Sequence, residues 1–179
     1  IANAKITARD FPLQRRIRLS ISAHSTVPHS RKSQPTSPRH AAPDTTALLA
    51  EVRAIYEELA QRPIQGNCTG RSTCCRFQLT GKTPYLTRGE AMLAARAWRA
   101  SGRTQLPPAG EGACPFLKQG LCQIYDSRPF GCRTHFCDAA GGPAPRALVR
   151  DLIHRLEEID LALGGDGASH FRAAVSRYL

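Results

Sequence analysis

Long apolar runs are missing from this chain. No stretch approaches the ~18 consecutive apolar residues that cross a bilayer, so no membrane partner is expected. No apolar run of about 7–15 residues follows Arg15, Arg16 and Arg18, so no secretory signal is read there. Aromatic residues make up only 6% of the chain, which predicts a modest, aliphatic core. Nucleotide-binding signatures are also absent. There is no Gly-x-Gly-x-x-Gly, and at Gly81-Lys82-Thr83 the glycine that a phosphate loop needs five residues upstream is Arg76. A Gly-x-Ser-x-Gly nucleophile motif is missing too.

Acidic residues are scarce at the start. Residues 1–43 carry eight Lys or Arg against Asp10 alone, for +7, whereas residues 44–179 carry seventeen against thirteen, for +4. The net charge of +11 is therefore largely a property of that first segment. From His24 to Pro43 it is rich in Ser, Thr, Pro, His and Arg and holds few large apolar side chains. Such a composition buries too little to offset its chain entropy, so residues 1–43 read as a disordered basic tail. A solvated extension is the favoured reading. A nucleic-acid arm and an Arg- and Ser-rich transit peptide are the functional alternatives. The chain begins at Ile1 and its only methionine is Met92, which reads as a fragment, a non-standard start codon or a start placed too far upstream.

Cysteine is absent everywhere except one window, and there it is abundant. All seven cysteines, Cys68, Cys74, Cys75, Cys114, Cys122, Cys132 and Cys137, lie between residues 68 and 137. Thiolates gathered this way hold a metal, pair as disulfides or carry redox electrons. Seven is odd, so complete pairing is impossible. Without an export signal the thiols are expected in the reducing cytoplasm, where structural disulfides are rare. Metal ligation is the favoured reading. A four-coordinate zinc and an iron–sulfur cluster each take four such ligands. Seven thiols exceed one such site and fall one short of two, so a second site would need His135, or one cysteine stands aside. No Cys-x2-Cys occurs, which excludes the thioredoxin motif and the commonest zinc-finger spacing. Cys74 and Cys75 are adjacent and diverge in an extended chain, so joint ligation of one ion needs a turn there. Arg71, Arg76, Arg128 and Arg133 each lie within a few residues of a cysteine and suit the negative charge of a thiolate–metal centre.

Periodicity predicts a mainly α domain over residues 44–179. A first helix follows Asp44 or Thr45 and runs to about Gln61, with Leu48, Leu49, Val52, Ile55, Tyr56 and Leu59 on one stripe. Arg76–Leu79 and Tyr85–Leu86 read as short extended runs. A second helix follows the capping pattern Thr87-x-x-Glu90 and ends near Ala100. Residues 114–137 read as irregular or hairpin structure. A third helix is expected from about Pro145 to Leu163 and a last one from Ala168 to Leu179.

Several short motifs fall together in the cysteine window. They are Cys68-x5-Cys74-Cys75-Arg76, then Cys114-Pro-Phe-Leu, then Gly120-Leu-Cys122-x-Ile-Tyr, then Arg128-Pro-Phe-Gly-Cys132-Arg133. This series resembles the bacterial YkgJ-type cysteine-cluster proteins, the CxxCxxCC zinc- or iron-chelating domain family. The resemblance covers roughly Asn67 to Cys137. It implies metal chelation by Cys68, Cys74, Cys75, Cys114, Cys122 and Cys132, with Cys137 matching a later position. Some members of that family are labelled iron–sulfur oxidoreductases. In one respect the chain departs from it, since Arg71 stands where the family's first motif has a further cysteine.

The expectation is therefore a small helix-rich domain whose irregular cysteine-bearing loops and short β-hairpins surround a metal centre. Its ligands are Cys68, Cys74, Cys75, Cys114, Cys122 and Cys132, then Cys137, and last His135. The cofactor is zinc or iron, an iron–sulfur centre included. The alternatives are an iron–sulfur oxidoreductase or electron carrier, and a nucleic-acid-binding protein with a structural zinc whose affinity comes from the basic tail.

Overall fold

The structure, a computed structural model, describes residues 44–66, 70–108 and 112–179. The expected basic tail and Cys68 lie outside the described residues.

Helix α1 spans Thr45–Gln61 and buries Leu49, Val52, Ile55, Tyr56 and Leu59. Its first amides would otherwise lack partners. The Asp44 carboxylate accepts from Thr46 N at 2.9 Å and Ala47 N at 3.3 Å. Arg62, which precedes Pro63, is extended at φ −75° and ψ 148°, as a residue before proline must be, and the helix ends there. Helix α2 is one short turn, Phe77–Thr80, closed by Gly81 at φ +62°. This corrects the extended run expected at Arg76–Leu79. Of that run only Arg76 makes a β-type contact, a bridge to Ala113.

Strand β1, Tyr85–Leu86, leads into helix α3, Arg88–Ala100. The expected capping box is present, with Glu90 accepting from Thr87 N at 3.0 Å. Strands β2, Leu117–Lys118, and β3, Leu121–Cys122, form an antiparallel hairpin that pairs Leu117 with Cys122. Its two turn residues, Gln119 and Gly120, have φ of +51° and +79°, the double positive φ of a type I′ turn. Helix α4 is Phe130–Thr134.

The expected third helix is shorter at its start. Arg146–Leu148 form a 3₁₀ turn, Val149 breaks the path at φ −132° and ψ 0°, and helix α5 runs Arg150–Ala162. The Leu148 carbonyl accepts from Arg62 Nη1 at 2.5 Å instead of entering a helical ladder. Val149 is buried in place of Leu148, which is 37% exposed. At the C-terminus, Ser169–His170 form strand β4 antiparallel to β1, and helix α6 is Phe171–Ser176. This corrects the expected last helix, Ala168 to Leu179, which begins only at Phe171 and ends at Ser176.

Two apolar cores share α3. Leu93 joins α1, Phe130, Val149 and α5 in the first, while Ala91, Ala94, Ala95 and Trp98 join Leu86, Phe116, Ile124 and α6 in the second. The small alanines on that second face let α6 pack close. Phe116 and Phe171 meet edge-on at 5.2 Å, and Trp98 lies 5.0 Å from Phe116. Trp98 satisfies its indole N–H on the Gln105 carbonyl at 2.9 Å. Burying each large apolar side chain is worth about 1.5–3 kcal/mol, so these clusters dominate the fold. The exposed ions add little. Arg62 bridges Glu58 and Asp151 between α1 and α5, each at 2.5 Å, and thereby lowers the pKa of both carboxyls. No helix among the described residues is long and apolar enough to cross a membrane.

Glu90 does more than cap α3. It is 3% exposed and accepts from Thr87 Oγ1 at 2.8 Å, Phe130 N at 2.7 Å and Tyr56 Oη at 3.4 Å. Burial nevertheless raises its pKa above the ordinary carboxyl value. A carboxyl whose native pKa is raised holds its proton more tightly folded than unfolded. Its contribution therefore favours folding at low pH and fades as pH rises through the native value. Glu90→Gln should flatten the stability–pH curve above the ordinary carboxyl value of about 4 in urea titrations, and an unchanged slope would refute this. Glu90→Leu leaves the Phe130 and Thr87 amides without acceptors and should cost about 3 kcal/mol in the same assay.

Candidate metal centre

The first cysteine segment bends at once. Ser72 is left-handed at φ +53°, and Thr73–Cys75 form a 3₁₀ turn, the local bend that an adjacent cysteine pair requires to share a site. Backbone bonds then fasten this segment to the second one. Cys114 N donates to the Cys75 carbonyl at 2.7 Å, and Gln78 N donates to the Gly112 carbonyl at 3.1 Å. Cys114 opens a tight turn, its carbonyl accepting from Leu117 N at 3.0 Å. The β2–β3 hairpin brings Cys122 back opposite Leu117. Cys132 sits on α4, whose first amide is held by Glu90. His135 ends α4 and forms a bridge to Pro143, and Cys137 follows in the next turn.

These pieces enclose one cavity of about 490 Å³. Cys74, Cys75, Cys114, Cys122, Cys132 and Cys137 all line it, and so does His135. The two cysteine segments predicted to converge thus reach a common space. Between the thiols stand Phe116, Ile124, Phe136 and Phe171, so most of the wall is apolar. Phe171 arrives through the β1–β4 pairing, with its N–H donated to the Pro84 carbonyl at 3.1 Å.

The sulfurs feel one another. Cys75 interacts with the charges of Cys74, Cys114 and Cys132, and Cys132 with those of Cys74, Cys114 and Cys122. The Cys75 thiol donates to the Cys74 sulfur, which lowers the Cys74 pKa to about 6 and raises that of Cys75. Arg128 adds a smaller lowering at Cys74. Burial pushes Cys114 up to about 12 and Cys132 higher still, with neighbouring sulfurs adding to both. At neutral pH the protein on its own therefore keeps Cys75, Cys114 and Cys132 protonated and presents Cys74 as the thiolate. Among the described residues, no group of three or more His, Cys, Asp or Glu side chains is arranged to hold a metal ion. The thiols ring the cavity without closing on a point.

The four arginines singled out near the cysteines divide. Arg71 and Arg128 line the cavity. Arg76 is exposed and does not line it. Arg133 stacks over the Tyr56 ring at 4.3 Å and donates to the carbonyls of Arg128 at 2.8 Å and Asp126 at 2.6 Å, so it braces the loop before α4. Sequence reasoning missed the cavity's other two cations, Lys82 and Arg146, and three aromatic walls, Phe116, Phe136 and Phe171. Only the tertiary path brings them in. Glu90 had a legible signal, the capping box, but its bond to Phe130 carried none.

No family model matches the chain, and neither a curated protein nor a solved structure matches it.

The low pKa of Cys74 has a direct chemical readout. In chelator-treated protein, Cys74 should react with iodoacetamide ahead of Cys75, Cys114 and Cys132, its rate rising with a midpoint near pH 6. Peptide mass mapping across a pH series checks this, and faster alkylation of Cys114 than of Cys74 would contradict it.

Proposed function

We propose that this protein binds zinc or iron through cysteine thiolates in the cavity. The observation that carries the reading is the meeting of six cysteines from two distant segments around one cavity, five of them within electrostatic reach of one another. Thiolates are the soft donors that zinc and iron–sulfur clusters take, and four suffice for either. Four of Cys74, Cys75, Cys114, Cys122 and Cys132 would hold the ion. Cys137 and His135 line the same space. Cys68 belongs to the proposed set on the strength of the motif series alone. The likeness of that series to the cysteine-cluster chelating family supports the same reading, and Arg71 remains the departure from it. The reducing cytoplasm is the proposed setting, because the thiols must stay unpaired to ligate.

Bound metal would supply a fixed cation that draws the thiols together and displaces their protons. The native thiols work against this, since its bond to the Cys74 sulfur holds Cys75 in the protonated form and burial does the same for Cys114 and Cys132. Uptake of a divalent ion at pH 7 should therefore release about three protons, and affinity should fall steeply as pH is lowered. Calorimetry in buffers of different ionisation enthalpy reads the proton count. A count near zero would exclude these three as ligands.

Elemental analysis of freshly purified protein decides the proposal itself. Stoichiometric zinc in a colourless preparation identifies a zinc centre. Iron with acid-labile sulfide in a brown one identifies a cluster, and with it the electron-carrier form of the proposal. Cys114→Ser and Cys132→Ser should each lower metal content at least about tenfold. Folded protein that takes up neither metal overturns the proposal.

A further inference from the structure

Four basic side chains, Arg71, Lys82, Arg128 and Arg146, line the same cavity, and among the described residues no Asp or Glu does. None of the four enters an ion pair among the described residues. Cations gathered on one concave surface concentrate anions there. The proposed metal centre does not use up this charge. Four thiolates on a divalent ion carry about −2, which against four cations leaves the lining at about +2.

Arg128 adds an unmet donor. Its Nε is buried and has no hydrogen-bond partner. The guanidinium lies over the Tyr125 ring at 4.2 Å. A buried donor left unpaired costs about 1–3 kcal/mol. A stacked guanidinium offers its donors as a fork that matches a carboxylate or phosphate. The aromatic walls beside it suit an apolar body. The volume of about 490 Å³ falls within the range of small-molecule sites.

We infer that the cavity binds an organic anion, a carboxylate or phosphate head on an apolar body, with Arg128 taking the head group beside the thiols. The inference rests on the proposed metal centre for its charge count alone.

The test uses the full chain as purified, with metal content measured in each sample. Calorimetric titration compares 4-phenylbutyrate with its neutral amide, which matches it in shape. The acid should bind at least about tenfold tighter than the amide. Arg128→Gln should bring the two within about threefold. Arg128→Lys, which keeps the charge and loses the fork, should fall between. Equal affinities for acid and amide, or binding of neither, overturn the inference, and this comparison needs no variant. Preference for the acid in protein that takes up no metal would uphold the anion site and remove the metal proposal.

Discussion

One buried carboxylate ties the helix that carries Cys132 to the helical frame. Glu90 gathers the N-terminus of α3, the Tyr56 hydroxyl of α1 and the first amide of α4. Cys132 sits on α4, two residues beyond that amide, so the position of its sulfur is set by a bond made forty residues away in sequence. Burying an acid here is unfavourable, and the raised pKa of Glu90 records it. Its hydrogen bonds offset that penalty and fix the α4 register in return. Arg133 works from the other side, stacked on Tyr56 and bracing the carbonyls of Asp126 and Arg128. Tyr56 thus stands between an acid and a cation, and both hold the same loop.

Burial has a second consequence at the sulfurs. The same low-dielectric surroundings that order the loops keep Cys114 and Cys132 protonated. Ion pairing, not exposure, is what can overcome that penalty, and a soft divalent cation is the partner that thiolates favour most. Cys74 differs because the neighbouring Cys75 thiol donates to it. The adjacent pair therefore behaves as one donor and one acceptor, an arrangement that only the 3₁₀ turn after the left-handed Ser72 makes available.

The helical frame was legible in the sequence where periodicity and capping chemistry agreed. Asp44, Thr87 and Glu90 mark the starts of α1 and α3 because side chains there satisfy amides locally, and Pro63 marks an end for the same kind of reason. Legibility failed where the deciding partner was distant. Arg62 takes the Leu148 carbonyl and so delays the start of α5, a contact across eighty-six positions. Strand β4 exists because β1 lies beside it, and two residues carry no period of their own. The cysteines were legible as a set by their clustering. Their meeting in one cavity depends on the bonds from Cys114 N to the Cys75 carbonyl and from Gln78 N to the Gly112 carbonyl, which no local pattern announces. The cavity's aromatic walls and its Lys82 and Arg146 were invisible for the same reason.

The two apolar cores bear on what the thiols are for. A composition with so few aromatics suggested a modest, aliphatic core. The first core contains no cysteine, and in the second Cys114 and Cys122 lie only at its partly buried edge. The aromatics, though few, are concentrated where they count, with Trp98, Phe116 and Phe171 forming one contiguous stack. Helices α1, α3, α5 and α6 therefore have apolar partners that do not depend on sulfur. In zinc fingers the ion replaces a core that is too small to exist. Here the core exists and the thiols are set beside it, facing an apolar, cation-rimmed space. That placement fits groups held ready to bind something better than it fits groups needed to hold the chain together.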